Sequence, residues 1–334
     1  MHRRSRRIAT TASAVVLAAT LVACSAGSTR RPGAAATPVV DPVISGARPA
    51  TPEDYPKPSV APPCDPRESL TPPATLPDPG RMPAGSTMDT VHRRGYLIVG
   101  VDQNTRFFGE LDRRSGLIKG FDIEMAKALA RAIFGGADDP AHIRYKVITQ
   151  AQRPDVLRAG EVDVVVDTMT ITCDRKLQVA FSSDYYTDGQ RVLVRTDSGV
   201  RSLADLRGKR VCTVRATTSI VFLRDHPAGV LPYAVENWTD CLVALQQGEV
   251  DAVSTTSALL RGLQAQDSDT DVVGPALSDE PHGMAFPLAH QDFVRFANGL
   301  LERMKRDGSW QRLYDAWLAG PLGPQSPPRA SYTG

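Results

Sequence analysis

What the sequence lacks narrows its function first. It has no Walker loop, no G-x-G-x-x-G fingerprint and no His-x-x-x-His pair, so nothing in it announces nucleotide, dinucleotide or helix-borne metal chemistry. Its histidines, His2, His92, His142, His226, His282 and His290, pair with neither a cysteine nor a serine motif, and no catalytic set emerges. The cysteines are never two to four residues apart, and no histidine follows them at ligand distance, which excludes the usual zinc spacings. A charge surplus is missing too. Removing the four arginines upstream of Cys24 from 39 basic residues leaves 35 against 37 acidic ones, a balance that argues against nucleic acid as a partner.

No apolar run reaches membrane-spanning length either. Ile8 to Val22 is apolar or small with Thr interruptions, but its about 15 residues fall short of the ~20 a bilayer crossing needs. Arg3, Arg4, Arg6 and Arg7 precede it and Leu21-Val22-Ala23-Cys24 closes it, which reads as a signal peptide (residues 1–23) ending in a lipobox. Diacylation of Cys24 would anchor the chain to the outer face of the cell membrane, because two acyl chains hold stably where one does not. A plain cleaved signal is the alternative, and Ser5-Arg6-Arg7 leaves a twin-arginine route open.

From Ser25 to Gly85 the chain carries 15 of its 26 prolines and almost no aromatic residue, so residues 24–87 are expected to be a spacer without a core of its own. At up to ~3.1 Å per residue, such a spacer can hold a folded head well over ~100 Å from its anchor. Four cysteines remain beyond Cys24, namely Cys64, Cys173, Cys212 and Cys241, an even number in an oxidising compartment. Spacing leaves three pairings and the free-thiol alternative open. Cys64 inside the spacer suggests a bridge from the spacer to the folded body.

Strand and helix patterns alternate from Met88 to Leu318. Tyr96 to Val101, Val162 to Val166, Arg210 to Val214 and Val250 to Ser254 read as buried strands. Phe121 to Phe134 reads as a helix with Met125, Leu129, Ala132 and Ile133 on one face, and Phe293, Phe296, Leu300 and Met304 mark another that Asp307-Gly308 ends. The alternation implies parallel sheets flanked by helices. The tail 319–334, rich in Pro and Ser, is expected to be disordered.

Several motifs then occur in one order: Gly120-Phe121-Asp122, Ala159-Gly160-Glu161-Val162-Asp163-Val164, Thr170-Ile171-Thr172-Cys173-Asp174-Arg175, Phe181 to Tyr186, Leu206 to Val211, Gln247 to Val253 and Asp307-Gly308-Ser309-Trp310. This ordered set resembles the family 3 extracellular solute-binding proteins, the amino-acid receptors of ABC importers. With its lipobox, spacer and four further cysteines the chain looks most like the actinobacterial glutamine-binding lipoproteins. The resemblance implies an α/β, two-lobe periplasmic-binding-protein-like fold of type II, with residues 88–192 and 283–318 in lobe 1 and 193–282 in lobe 2. It further implies a ligand cleft at the strand ends between two crossover strands, no cofactor and no metal. A polar amino acid would be the ligand and an importer permease or a membrane sensor the partner. A few enzymes, cyclohexadienyl dehydratases among them, use the same fold. On this lobe assignment Cys212 and Cys241 would pair within lobe 2, and Cys64 with Cys173 would fasten the spacer to lobe 1.

Carried over by position, Arg175 would clamp the ligand α-carboxylate, helped by Thr168 and Thr170 where a strand ends and a helix begins. A surface ion pair is the other reading of Arg175. Thr217 and Thr218 would complete the carboxylate cage from lobe 2, with plain helix capping as the alternative. Three positions depart from the family: Thr105 and Gln150 stand where an aromatic residue is common, and Thr256 where an Asp commonly receives the ammonium. Asp102 and Asp167 could replace that Asp, unless Asp167 merely pairs with Arg106, Arg191 or Arg215. Gln, Glu, Asp and Asn suit such a cleft, although the extra Asp167 would also suit a cationic amino acid.

Overall fold

The computed structural model describes residues 46–57, 59, 61–136 and 139–333. The signal segment, Cys24 and the first part of the spacer lie outside the described residues.

Two sheets organise the chain. In lobe 1 the strands run in the order Ile143–Val147, Leu97–Val101, Val164–Val165, Ala285–Phe286, Ala180–Phe181, the first three parallel and Ala285–Phe286 antiparallel to both neighbours. In lobe 2 the order is Arg48–Pro49, Leu231–Val235, Arg210–Val214, Ala252–Thr256, Gln190–Arg195, Thr270–Val273. Here only the two pairings of Arg210–Val214 are parallel, so the expected parallel sheets are found as a parallel part of each sheet beside antiparallel pairings. Tyr186–Asp188 and Glu280–His282 pair antiparallel as the two crossovers between lobes. Gln190–Arg195 already belongs to the second sheet, so lobe 1 ends near Gly189 rather than at residue 192.

Helix Phe121–Phe134 buries Met125, Leu129, Ala132 and Ile133 as its period requires. It starts at Gly120, whose φ of 136° is open to glycine alone, and a Cβ there would lie 2.2 Å from the Phe108 carbonyl oxygen. Helix Gln291–Arg306 buries Phe293, Phe296, Leu300 and Met304. In the next helix, Ser309–Trp317, the Trp310 indole packs edge-on to Phe121 and donates to the Tyr185 carbonyl at 2.7 Å. Full burial of each such side chain contributes about 1.5–3 kcal/mol.

Both disulfides pair as the lobe assignment implied, Cys64–Cys173 with Cα atoms 5.9 Å apart and Cys212–Cys241 at 5.6 Å. Two other expectations fail. The tail is ordered: Ser331–Thr333 pairs in parallel with Glu68–Leu70, and the Tyr332 hydroxyl donates to Glu302 at 2.8 Å. The second half of the spacer is folded as well, with Asp54 and Ser69 buried. Proline-rich segments that cannot build a core can still dock on one built by others.

Candidate functional site

The lobe 1 wall is the turn that follows strand Val164–Val165. Thr168 sits at φ 41°, and its amide donates to Asp122 Oδ2 at 2.8 Å. Tyr185 Oη donates to the other Asp122 oxygen at 2.7 Å. Gly120 thus matters at the site, because it sets the helix start that delivers Asp122. Burial pushes the Asp122 carboxyl up to about 7. Further on, Thr172 caps the short helix Cys173–Lys176 by accepting from the Arg175 amide at 3.1 Å. Arg175 Nη1 donates to the Thr170 carbonyl at 2.7 Å, which aims the guanidinium along the wall.

A second guanidinium stands beside it. Arg153 is buried, and it donates to the backbone carbonyls of Gln150 at 3.1 Å and Asp167 at 2.9 Å. Burial, with the Arg153 charge next, pushes Arg175 down to about 9, which still leaves it charged at neutral pH. Burial and the same two guanidiniums push His282 down to about 3, so it is a neutral imidazole.

The lobe 2 wall is built alike. Strand Arg210–Val214 leads into Ala216 at φ 57° and then into helix Thr218–Asp225. Thr217 Oγ1 donates to the Val214 carbonyl at 2.6 Å and accepts from the Ile220 amide at 3.3 Å, so this hydroxyl caps the helix. Thr218 Oγ1 instead faces the cleft, 3.3 Å from Thr170 Oγ1 and 3.2 Å from Glu280 Oε2. Ser219 joins Gln190 and Thr255 through bonds of 2.8 and 3.2 Å. The two walls enclose a cavity of about 20 Å³ lined by Gln150, Arg153, Thr168, Thr170, Arg175 and His282 from one side and by Thr217, Thr218, Ser219 and Thr256 from the other. That holds about one water, so an amino-acid-sized molecule enters only when the lobes part. Among the described residues no group of three His, Cys, Asp or Glu side chains could hold a metal ion.

Residues 97–320 match the family of bacterial extracellular solute-binding proteins, family 3. The chain belongs to that family. It is 33% identical over 233 residues to the ABC transporter glutamine-binding protein GlnH of Bacillus subtilis, covering 70% of this chain and 84% of the relative. It is 38% identical over 200 residues to the glutamine-binding protein of Geobacillus stearothermophilus, covering 60% and 75%. The solved P235GK mutant of ArgBP from T. maritima superposes with a TM-score of 0.64 at 31% identity, over 70% of this chain and 99% of that one. The two-lobe fold is therefore the one that amino-acid-binding proteins use, and the chain is a binding protein, not an enzyme.

Of the residues singled out in this family member's sequence, Arg175, Thr168, Thr170, Thr217, Thr218, Gln150 and Thr256 meet at the cavity. Asp102, Asp167 and Thr105 do not line it. Asp102 Oδ1 accepts from the amides of Gln103 at 2.6 Å and Asn104 at 2.9 Å, while Oδ2 takes the Thr105 hydroxyl at 2.5 Å and Gln150 Nε2 at 3.2 Å. Its acceptor capacity is spent on its own loop and on the Gln150 side chain. Asp167 is buried, with Oδ2 3.9 Å from Arg153 rather than beside Arg106, Arg191 or Arg215, and neither of its carboxylate oxygens accepts a hydrogen bond from the described residues. Burial pushes its carboxyl well up against the pull of Arg153. Four residues escaped the sequence reading: Arg153, Asp122, Glu280 and His282. Asp122 was visible only as part of a motif, and the other three carry no local signal of a site.

Proposed function

We propose that the chain is the substrate-capturing component of an ABC importer, that it takes a polar amino acid of the Glu, Gln, Asp and Asn group, and that the dicarboxylates are preferred. The observation that carries this is the pair of guanidiniums, Arg175 and Arg153, on one wall of the cavity opposite Thr218. Arg175, with the backbone around Thr170 and the start of helix Thr218–Asp225, suits an α-carboxylate. Arg153 then offers a second cation to a side-chain carboxylate or amide. Asp167, the acid that would suit a cationic ligand, approaches Arg153 at 3.9 Å and is not among the residues lining the cavity. The glutamine-binding relatives favour the same ligand group.

Calorimetric titration with L-glutamate, L-aspartate, L-glutamine, L-asparagine and L-arginine tests the reading. Binding of the first four with L-arginine excluded is expected, and tight L-arginine binding overturns it. The anchor belongs to the same proposal: Leu21-Val22-Ala23-Cys24 supports diacylation of Cys24, and Cys24→Ser is expected to move the protein from the detergent phase to the aqueous phase. Unchanged partitioning rules the anchor out.

A further inference from the structure

The segment just upstream of the family-matched residues touches both halves of the binding site. On the lobe 2 side, Arg48–Pro49 is the edge strand of the sheet, paired with Tyr233 and Ala234. Asp54 is 1% exposed, and Arg48 grips its carboxylate with two bonds of 2.6 and 2.7 Å. The Asp54 carbonyl accepts from the Ala216 amide at 2.7 Å. Ala216 is the left-handed residue that opens the Thr217-Thr218-Ser219 loop, so the spacer holds that loop in its strained form.

On the lobe 1 side the same segment is bonded to the helix that carries Arg175. Cys64 is joined to Cys173, and Lys176 Nζ donates to the carbonyls of Asp65 at 2.9 Å and Glu68 at 2.6 Å. Arg67 lies across the hinge, its Nη1 paired with Asp184 before one crossover and its Nη2 donating to both carboxylate oxygens of Asp279, at 2.6 and 2.7 Å, before the other. Asp65 and Arg67 share a cavity of about 230 Å³ with Thr170, Thr172, Thr218 and Glu280, next to the cleft.

We propose that residues 47–70 are a strap that forms a third connection between the lobes, with Asp54 and Cys64 as positioning residues for the two carboxylate-binding loops. Between Tyr55 and Ala61 the covalent chain can reach at most ~20 Å. Opening beyond that must break an anchor. The strap therefore restrains the open state, and it ties lobe closure to the chain that leads back toward the N-terminus. The ligand readout below rests on the proposed amino-acid function, whereas the distance readout does not.

The test uses the full chain in four forms: wild type, Arg48→Ala, Cys64→Ser with Cys173→Ser, and all three changes together. Spin labels on non-natural side chains at exposed Arg113 in lobe 1 and exposed Lys209 in lobe 2 report the interlobe distance without ligand. Each release is expected to broaden the distribution toward longer distances and to raise the L-glutamate off-rate roughly five- to tenfold, with the far-ultraviolet spectrum of the folded protein unchanged at the temperature of the measurement. Because either release frees the same strap, the combined form should do no more than either alone. Identical distance distributions in all four forms, or fully additive effects, overturn the proposal. A wild type that ignores L-glutamate overturns the ligand assignment instead, and the distances still decide the strap.

Discussion

Single residues decide the chemistry of the cleft. Arg175 donates to the Thr170 carbonyl and is charged, so removing it strips the carboxylate anchor while leaving Arg153 in place. Arg175→Ala is expected to weaken L-glutamate binding by roughly a hundredfold or more with the fold intact, as calorimetry and circular dichroism would show. Arg153→Gln should shift preference from L-glutamate toward L-glutamine by roughly tenfold in the same titration, since only the side-chain carboxylate gains from a full charge there. His282 gives a pH test. Its folded value of about 3 against an ordinary 6.5 means that unfolding takes up a proton below pH 6.5, so its stabilisation is present above 6.5 and lost as pH falls toward 3. Asp122 works in the opposite sense: raised to about 7, it favours the native state most below its ordinary 3.8 and loses that contribution as pH rises toward 7. Between pH 7 and 4.5, urea unfolding should therefore show wild type losing on the order of 2–3 kcal/mol more than His282→Gln. An equal pH response in both proteins would show that His282 titrates normally. The residues legible in sequence were those on strand-to-helix turns, Thr168 to Arg175 and Thr217 to Thr218, where the order of motifs adds to a local chemistry that suits an anion but by itself also fits helix capping or a surface ion pair. The partners of Asp102, the amides of Gln103 and Asn104 and the side chain of Gln150, were not legible because they are supplied by the turn and by a distant segment. Arg153 was missed because only the fold brings it beside Arg175.

At the scale of elements, period and punctuation were enough wherever an element buries a face of its own. Helix Phe121–Phe134 and strand Arg210–Val214 fall where the apolar spacing puts them. Elements that borrow a core were not legible: Arg48–Pro49 and Ser331–Thr333 are short, proline-flanked edge strands whose pairing partners lie far away in sequence. The joint between helix and site is Gly120. A Cβ there would meet the carbonyl oxygens of Phe108 at 2.2 Å and Phe107 at 2.8 Å, and the backbone sits where side chains strain. Gly120→Ala is expected to cost about 3 kcal/mol or more in urea unfolding, and to weaken ligand binding by displacing Asp122 from the Thr168 amide. A near-neutral change would mean that the helix start does not set the site.

At the scale of the whole molecule, two lobes close over paired guanidiniums. The walls leave about 20 Å³ between them, so binding requires opening and then reclosing on the ligand. The proposed preference rests on the charge of the cleft: Arg175 and Arg153 stand on the wall beside a neutral His282, Glu280 reaches Thr218 Oγ1 at 3.2 Å, and Asp102 and Asp167 do not line the cavity. The most direct test is a competition titration in which L-glutamate and L-arginine are offered to the same protein at neutral pH. Saturable one-to-one binding of L-glutamate that excess L-arginine does not displace is expected of a cleft with two guanidiniums, and displacement of L-glutamate by L-arginine would rule out that reading of the cleft.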